Sequence, residues 1–261
     1  MSDLKSDDLQ KQWRQDLLNL KEKVKQKIFD NDQALTIAEE IKDGYKGNFV
    51  KPNYNILNAH IQLCKTLEQG KKILTQYTNE NVQLTTTTFN IFISLSPDLV
   101  TAFSYFEQIF DNSLLPNSYT LNGLISKCYT LNQGQQIIKS MIKYDISPNI
   151  QTYNTLLSLT NKDEERKEIL RTMEDRQIGV NLVTYNTLIS KSTDYDQALM
   201  FYSEMKSRQI KPSINTLVTL LKKTRSQKEI NKVEQLLENE NIDKTNIWRK
   251  LYNRKNRASN V

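Results

Sequence analysis

Large apolar side chains recur along the chain at the spacing of an amphipathic helix. In five of six successive segments, one such residue is followed three and four positions later by an apolar pair, as Phe89 is by Phe92 and Ile93. This spacing places the side chains on one face of a helix, which we call helix A. The first residues of the six segments are Leu57, Phe89, Leu121, Tyr153, Tyr185 and Leu217.

An asparagine directly follows that first residue in five segments. These asparagines are evenly spaced along the chain, and they are Asn58, Asn90, Asn122, Asn154 and Asn186. Asparagine is a poor helix former because its amide competes with the backbone for hydrogen bonds, so its recurrence at one helical position needs a further reason. A fixed period of this length predicts one array of stacked repeats rather than separate ordinary domains.

A second amphipathic segment follows within each repeat. The residue twelve positions after each asparagine is small in four of five cases, and the column reads Gly70, Ala102, Gly134, Arg166 and Ala198. Apolar pairs such as Ile137 and Ile138 follow it, which predicts a helix B. Prolines at one position beyond this segment would end the helix, and they are Pro52, Pro116, Pro148 and Pro212. Each repeat is therefore predicted to be a helical hairpin.

The pattern divides the chain into three parts. Residues 54–245 hold six repeats of equal length, residues 1–53 form an N-terminal helical cap with a degenerate repeat, and residues 246–261 form a capping helix and basic tail. The upstream stripe is Trp13, Leu17, Leu20, Val24 and Ile28. In five of the six repeats a threonine lies two positions before the asparagine position and is predicted to cap helix A, and these are Thr88, Thr120, Thr152, Thr184 and Thr216.

Composition narrows the classes of partner and compartment. The 36 basic and 30 acidic side chains give a net charge of +6, which favours a polyanionic partner such as nucleic acid.

Cys64 and Cys128 lie two periods apart, so they cannot pair within one solenoid and we expect them to be buried, reduced thiols. No apolar run approaches the roughly 18 residues that span a bilayer, and the acidic start predicts a cytoplasmic protein without a membrane partner.

Residues 181–213 carry the most specific signal. This stretch resembles the pentatricopeptide repeat in its VTYNTLI opening, its Ala-centred helix B, its Glu-Met ending and its terminal proline, and residues 149–158 repeat the opening. The resemblance implies an all-α fold, a right-handed α-α superhelix, that binds single-stranded RNA with one base per repeat. It also implies a mitochondrion or another organelle as the compartment. The repeats are slightly shorter than the commonest length in the family, and the sixth has Val218 at the asparagine position.

The resemblance assigns two base-reading residues to each repeat. The first matches the asparagine column, and the second matches the residue that ends the repeat, which is Thr85, Asn117, Asn149, Asn181, Ser213 and finally Thr245. A carboxamide has both a donor and an acceptor, so it suits the edges of uracil and cytosine. In the family, Asn or Ser at the second position leans toward cytosine. We therefore predict a run of pyrimidines biased to C.

Further contacts are predicted beside the base readers. The residues expected to stack between bases are Thr87, Tyr119, Gln151 and Val183, and those expected to contact phosphates are Lys127, Lys191 and Lys223. Two alternatives stay open, namely a structural ladder of the asparagines between adjacent helices and a solvated face for the lysines. His60 occupies an apolar column of helix A, which predicts a packed core histidine.

The motifs of an enzyme are missing from the sequence. No metal-ligand cluster, phosphate-binding glycine loop or nucleophile with a base accompanies the one histidine, so we expect no catalysis, metal or cofactor. The sequence favours a monomeric RNA-binding adaptor that acts in RNA processing, stability or translation. The alternative is a helical scaffold that binds proteins of a ribosomal or RNA-processing complex.

Overall fold

The computed structural model describes residues 2–47 and 50–240, with side chains from residue 6 onward. Over these ranges the chain forms fourteen α-helices, one short 3₁₀ helix and no β-strand. The helices belong to two compact units, Met1–Ser147 and Pro148–Val261. The predicted class, an all-α solenoid built from helical hairpin repeats, is confirmed. None of the helices in the described ranges has both the length and the apolar character needed to cross a membrane.

The first unit consists of four hairpins in chain order. Its helices are α1 (Ser2–Lys25), α2 (Asn31–Gly47), α3 (Tyr54–Ile61), α4 (Leu67–Thr78), α5 (Thr86–Leu95), α6 (Leu99–Asp111), α7 (Ser118–Ile125) and α8 (Leu131–Met141). A 3₁₀ turn, Ile142–Tyr144, follows α8. Helix A of each repeat packs on its own helix B and on the next helix A, so that α3, α5 and α7 form one row.

The second unit repeats this arrangement with three hairpins. Its helices are α9 (Ile150–Leu159), α10 (Asp163–Asp175), α11 (Leu182–Lys191), α12 (Tyr195–Ser207), α13 (Ile214–Lys223) and α14 (Gln227–Asn239). Here α9, α11 and α13 form the row of A helices. In both units the A helices begin at evenly spaced positions in the sequence, as the asparagine period predicts.

Close packing of one hairpin on the next depends on the small residue of helix B. At Gly70 of α4 a Cβ atom would lie 3.1 Å from both Leu95 Cδ1 and Phe92 Cε1 of α5, so a side chain there would crowd the next hairpin. The residue that begins the apolar stripe of each helix A, from Leu57 to Leu217, is at most 4% exposed. The residues that end the helix B stripe, Tyr77, Ile109, Met141, Met173, Met205 and Leu237, are also buried. The predicted core stripes are therefore the observed ones.

The N-terminal hairpin packs onto the first repeat. Trp13 is fully buried, stacks on Tyr45 with ring centroids 5.3 Å apart and lies 6.5 Å from the ring of Tyr77 in α4. The upstream stripe is shorter than predicted, because α1 ends at Lys25 and Ile28 lies beyond it with 58% of its surface exposed. Lys27 has a φ of 61°, which breaks the helix between them. The predicted C-terminal helix and Thr245 lie outside the described residues.

Candidate nucleic-acid interface

The residue that ends each repeat caps the helix A that follows. Asn117 has an extended backbone, and its Oδ1 accepts hydrogen bonds from the backbone N–H groups of Tyr119 and Thr120 at 3.0 and 3.2 Å. Thr85, Asn149, Asn181 and Ser213 cap their helices in the same way. The prediction that the threonine column supplies the N-caps is therefore wrong. Those threonines stand three positions further into the helix, at the second position of a capping box.

Four of the threonine hydroxyls connect two repeats. Thr120 Oγ1 accepts the backbone N–H of Asn117 at 3.0 Å and donates to Oδ1 of Asn90, in the preceding repeat, at 2.7 Å. We call this set of cap, threonine and preceding asparagine the hydroxyl bridge. The same donation joins Thr88 to Asn58 at 2.8 Å, Thr184 to Asn154 at 2.8 Å and Thr216 to Asn186 at 2.7 Å. The four threonines are fully buried.

The two predicted base readers of one repeat lie together. Asn90 Nδ2 is 3.1 Å from Asn117 Oδ1, and Asn58 Nδ2 is 3.4 Å from Thr85 Oγ1. In the second unit, Thr184 Oγ1 contacts Oδ1 of both Asn154 and Asn181, at 2.8 and 3.2 Å. Residues from the two ends of a repeat are thus brought to one point at the start of a helix A.

Burial differs along the asparagine column. Asn58, Asn122 and Asn154 are at most 9% exposed, whereas Asn90 and Asn186 are half-buried. Among the second readers, Asn117 and Asn181 are exposed. The structural ladder that the sequence left open as an alternative is present within each unit, in the form of the hydroxyl bridge. Base reading by the same amides stays a prediction.

The predicted stacking residues lie on the open side of this site. They occupy the second position of their A helices, beside the caps, and all four are exposed: Thr87, Tyr119, Gln151 and Val183. Tyr119 is 71% exposed and Val183 55% exposed. At these two residues, large apolar surface is held in water and is available for contact with a planar ligand.

The predicted phosphate-contacting lysines fall into two groups. Lys127 Nζ donates to the carbonyl oxygen of Ser94, and Lys223 Nζ to that of Ser192, both at 2.6 Å. These carbonyls lie at the ends of the preceding A helices, where a cation stabilises the helix dipole. Partial burial lowers the pKa of both lysines. The side chain of Lys191 makes no hydrogen bond or ion pair with the residues that the structure describes, so its charge is available for a ligand.

His60 is part of the core rather than of this surface. It is fully buried, its Nδ1 lies 3.1 Å from Tyr77 Oη, and its Nε2 has no hydrogen-bond partner in the described part of the chain. Burial lowers its pKa to about 4. The carboxylate of Glu39 opposes this shift, and the ammonium of Lys42 adds to it. The ring is therefore neutral near pH 7.

Arg166 is the exception in the column of small residues. Its side chain is buried and bonded to Asp163 within α10, and Asp163 Oδ2 accepts from Gln197 Nε2 of α12 at 2.9 Å. The guanidinium thus replaces close helix contact with a hydrogen-bonded connection between neighbouring B helices. The sequence shows the substitution but not the partner from the next repeat.

Two family models match the chain. The model described as "PPR repeat family" matches residues 180–224, and the one described as "Pentatricopeptide repeat domain" matches residues 130–163. The matched residues carry the hairpins and caps described above. Residues 130–163 and 180–224 therefore carry pentatricopeptide repeats. No curated protein matches it significantly in sequence.

Solved structures of the same family are similar to this chain. The pentatricopeptide repeat protein PPR10 from maize matches 84% of the chain and 34% of its own length, with 20% identity and a TM-score of 0.48. PPR10 in complex with an 18-nt psaJ RNA element matches 80% of the chain and 36% of its own length, with 18% identity and a TM-score of 0.44. The PPR domain of Arabidopsis thaliana protein-only RNase P 1, in complex with tRNA, matches 59% of the chain and 89% of its own length, with 20% identity and a TM-score of 0.45. The chain spans about a third of the length of PPR10.

Proposed function

We propose that the chain is a non-catalytic adaptor that binds single-stranded RNA, with about one base for each repeat. The observation that carries this proposal is the contact between two predicted readers of one repeat, Asn90 Nδ2 and Asn117 Oδ1, at 3.1 Å. Repeat proteins of this type read each base with two or three side chains of a helical repeat. Five repeats have an asparagine at the first reader position, and three of these also have an asparagine at the second, so the column has the chemistry and the periodicity for that task.

The exposed residues beside the readers supply a surface for stacking. Tyr119 and Val183 each stand next to a capping residue, one on an A helix of the first unit and one on an A helix of the second, and both expose more than half of their surface. Stacking of a base on such a side chain contributes about 1–3 kcal/mol for an aromatic residue. Affinity would therefore come from stacking and charge, while the amides would select the base.

The predicted base preference follows from the amide column. Five asparagine repeats, which begin at Tyr54, Thr86, Ser118, Ile150 and Leu182, would face five pyrimidines with a bias to C. The sixth repeat, with Val218, would contribute no amide. A bound segment of this kind would be protected from nucleases or held for another factor, and so the chain would act in RNA processing, stability or translation.

A non-catalytic role agrees with the environment of the one histidine. His60 is buried and its pKa is lowered to about 4, so it is neither accessible nor poised for proton transfer near pH 7. The second candidate function is a protein-binding scaffold in a ribosomal or RNA-processing complex. The observation that favours it is the hydroxyl bridge, since it gives the buried amides of Asn58 and Asn154 partners without any ligand.

The test is equilibrium binding to fluorescent C-rich, U-rich, A-rich and G-rich single-stranded RNAs at two salt concentrations. The wild-type chain should prefer the pyrimidine strands, and an Asn122→Asp, Asn154→Asp double variant should lose that preference. A matched variant with Asn112→Asp and Asn132→Asp, both exposed and outside the A helices, introduces the same charge elsewhere and should keep it. Equal weak binding to all four strands, removed by salt, would instead indicate simple charge attraction and favour the scaffold.

A further inference from the structure

We infer that the threonine column is a set of positioning residues that fixes the orientation of the base-reading amides. Its members with described bridges are Thr88, Thr120, Thr184 and Thr216. In each case the threonine of one repeat would hold the asparagine of the repeat before it. This inference rests on the proposed function and adds the residue that decides which amide atom faces the base.

The direction of hydrogen bonding follows from counting protons at one bridge. Thr120 Oγ1 accepts the backbone N–H of Asn117 at 3.0 Å, so its own proton is directed to a different acceptor. The nearest is Oδ1 of Asn90, at 2.7 Å. A hydroxyl that donates there requires oxygen, not nitrogen, at that end of the Asn90 amide. The amide nitrogen then faces Asn117 Oδ1 at 3.1 Å, and a flipped amide would place two oxygens against each other.

The orientation leaves a defined group for the ligand. One N–H of Asn90 Nδ2 is directed to Asn117, and the second has no acceptor in the described part of the chain. An amide held in this way presents a donor, which suits a base edge with an acceptor, such as N3 or O2 of cytosine or a carbonyl oxygen of uracil. Without the hydroxyl, both amide orientations become accessible, and the repeat would accept donors and acceptors alike.

The sequence itself pairs the two residue types across repeats. Every asparagine of the column has a threonine at the same distance further along the chain, from Asn58 with Thr88 to Asn186 with Thr216. The first repeat has Ile56 at the threonine position, where no asparagine of the column precedes it. The sixth repeat keeps Thr216 but has Val218 in place of the asparagine, and residue 248, at the next threonine position, is a tryptophan. An asparagine of the column occurs only where the next repeat has the threonine, and the threonine only where the preceding repeat has the asparagine. Two columns that packed independently would not need to occur together.

The experiment compares the wild-type chain with Thr120→Val and Thr120→Ser by selecting bound sequences from a random single-stranded RNA pool. Valine keeps the branched shape and removes the hydroxyl, whereas serine keeps the hydroxyl. We expect Thr120→Val to reduce base preference at one position by about fivefold, the value of one ordinary hydrogen bond, and to leave the neighbouring positions unchanged. Thr120→Ser should retain the wild-type motif. Total affinity and its salt dependence should change little, because stacking and charge remain.

The possible outcomes distinguish a failure of this inference from a failure of the proposed function on which it rests. A wild-type chain that selects no motif would overturn both. A wild-type motif that Thr120→Val leaves intact at every position would overturn only the positioning role. Thr216→Val, at the last described bridge, provides the same test through Asn186 if Thr120→Val does not fold. Loss of preference at every position, rather than at one, would show a general structural effect and contradict the inference.

Discussion

Thr184 Oγ1 donates a hydrogen bond to Asn154 Oδ1 at 2.8 Å, and the two residues belong to successive A helices, α11 and α9. The same oxygen accepts the backbone N–H of the cap Asn181 at 3.1 Å. One buried hydroxyl therefore closes a capping box and joins two repeats. The atoms that join neighbouring hairpins therefore lie beside the predicted reading site.

Removal of that hydroxyl should destabilise the second unit. Thr184→Val leaves the Asn181 N–H and the Asn154 oxygen without their buried partner, so we expect the free energy of unfolding to fall by about 1–3 kcal/mol. Thr187→Val is the control, because the Thr187 hydroxyl bonds only to the Val183 carbonyl one turn earlier in the same helix. Urea denaturation followed by circular dichroism measures both. Equal losses in the two variants would contradict the role of the bridge.

His60 should make the first unit sensitive to acid. Its folded pKa of about 4 lies below the ordinary value of 6.5, so the unfolded chain binds the proton more readily. The stability contributed by the buried neutral ring is complete above about pH 6.5 and is lost as the pH falls towards 4. The loss reaches at most about 3.5 kcal/mol, because each pH unit between the two pKa values corresponds to about 1.4 kcal/mol.

The variant His60→Leu places the residue type of the equivalent positions Leu124 and Leu156 there. Its unfolding free energy should decline less between pH 6.5 and 4 than that of the wild-type chain. The comparison cancels the contribution of the carboxylates other than Glu39, whose pKa His60 itself helps to lower. Parallel pH profiles would show that the ring does not remain neutral in the folded state.

Tyr119 should contribute to RNA affinity without contributing to stability. Its ring is 71% exposed beside the cap Asn117, so Tyr119→Ala should weaken binding of a C-rich strand by about 1–3 kcal/mol and leave the melting temperature unchanged. Tyr129→Ala is the matched control, since Tyr129 belongs to the same repeat, is 74% exposed and lies in the turn between α7 and α8. Fluorescence anisotropy would then separate stacking at helix A from general loss of surface. Equal effects of the two substitutions would argue against a specific stacking position.

Lys191 and Lys223 should differ in what they contribute, the first to RNA binding and the second to stability. Lys191 has no partner in the described ranges, so Lys191→Gln should make the salt dependence of RNA binding shallower by about 0.7 in the log-log slope while stability stays constant. Lys223 is bonded to the Ser192 carbonyl, so Lys223→Gln should lower stability and change the slope less. Binding titrations at four salt concentrations, with thermal melts of each variant, measure both quantities. The reverse assignment would show that the Lys223 bond opens when RNA binds.

The helical repeats can be predicted because each has the same spacing of apolar residues along its helices. The spacing of Phe89, Phe92 and Ile93 predicts one buried face, and the fixed period carries that face from repeat to repeat. The sequence alone places the cap wrongly, because both Asn117 and Thr120 are residue types that cap helices. The structure distinguishes them, since Asn117 has the extended backbone of an N-cap and Thr120 lies within the helix.

The contacts between repeats cannot be predicted from one sequence. The Asn90 and Thr120 columns are each visible in it, but their pairing depends on the distance between neighbouring helices, which the period does not provide. The same holds for Lys127, whose reach to the Ser94 carbonyl depends on the packing of α5 against α7. The sequence therefore reveals the positions of these residues and not their partners.

The most direct test of the central claim observes the asparagine side chains themselves. In a chain labelled with ¹⁵N-asparagine, the NH₂ signals of Asn90 and Asn186 can be assigned by substitution and followed by NMR during titration with a C-rich single-stranded RNA. We predict that both signals shift, while the signal of Asn112, exposed at the end of α6 and bonded to the Gln108 carbonyl, does not. Saturation with RNA that leaves the Asn90 and Asn186 signals in place would contradict base reading and leave the asparagine column a purely structural ladder.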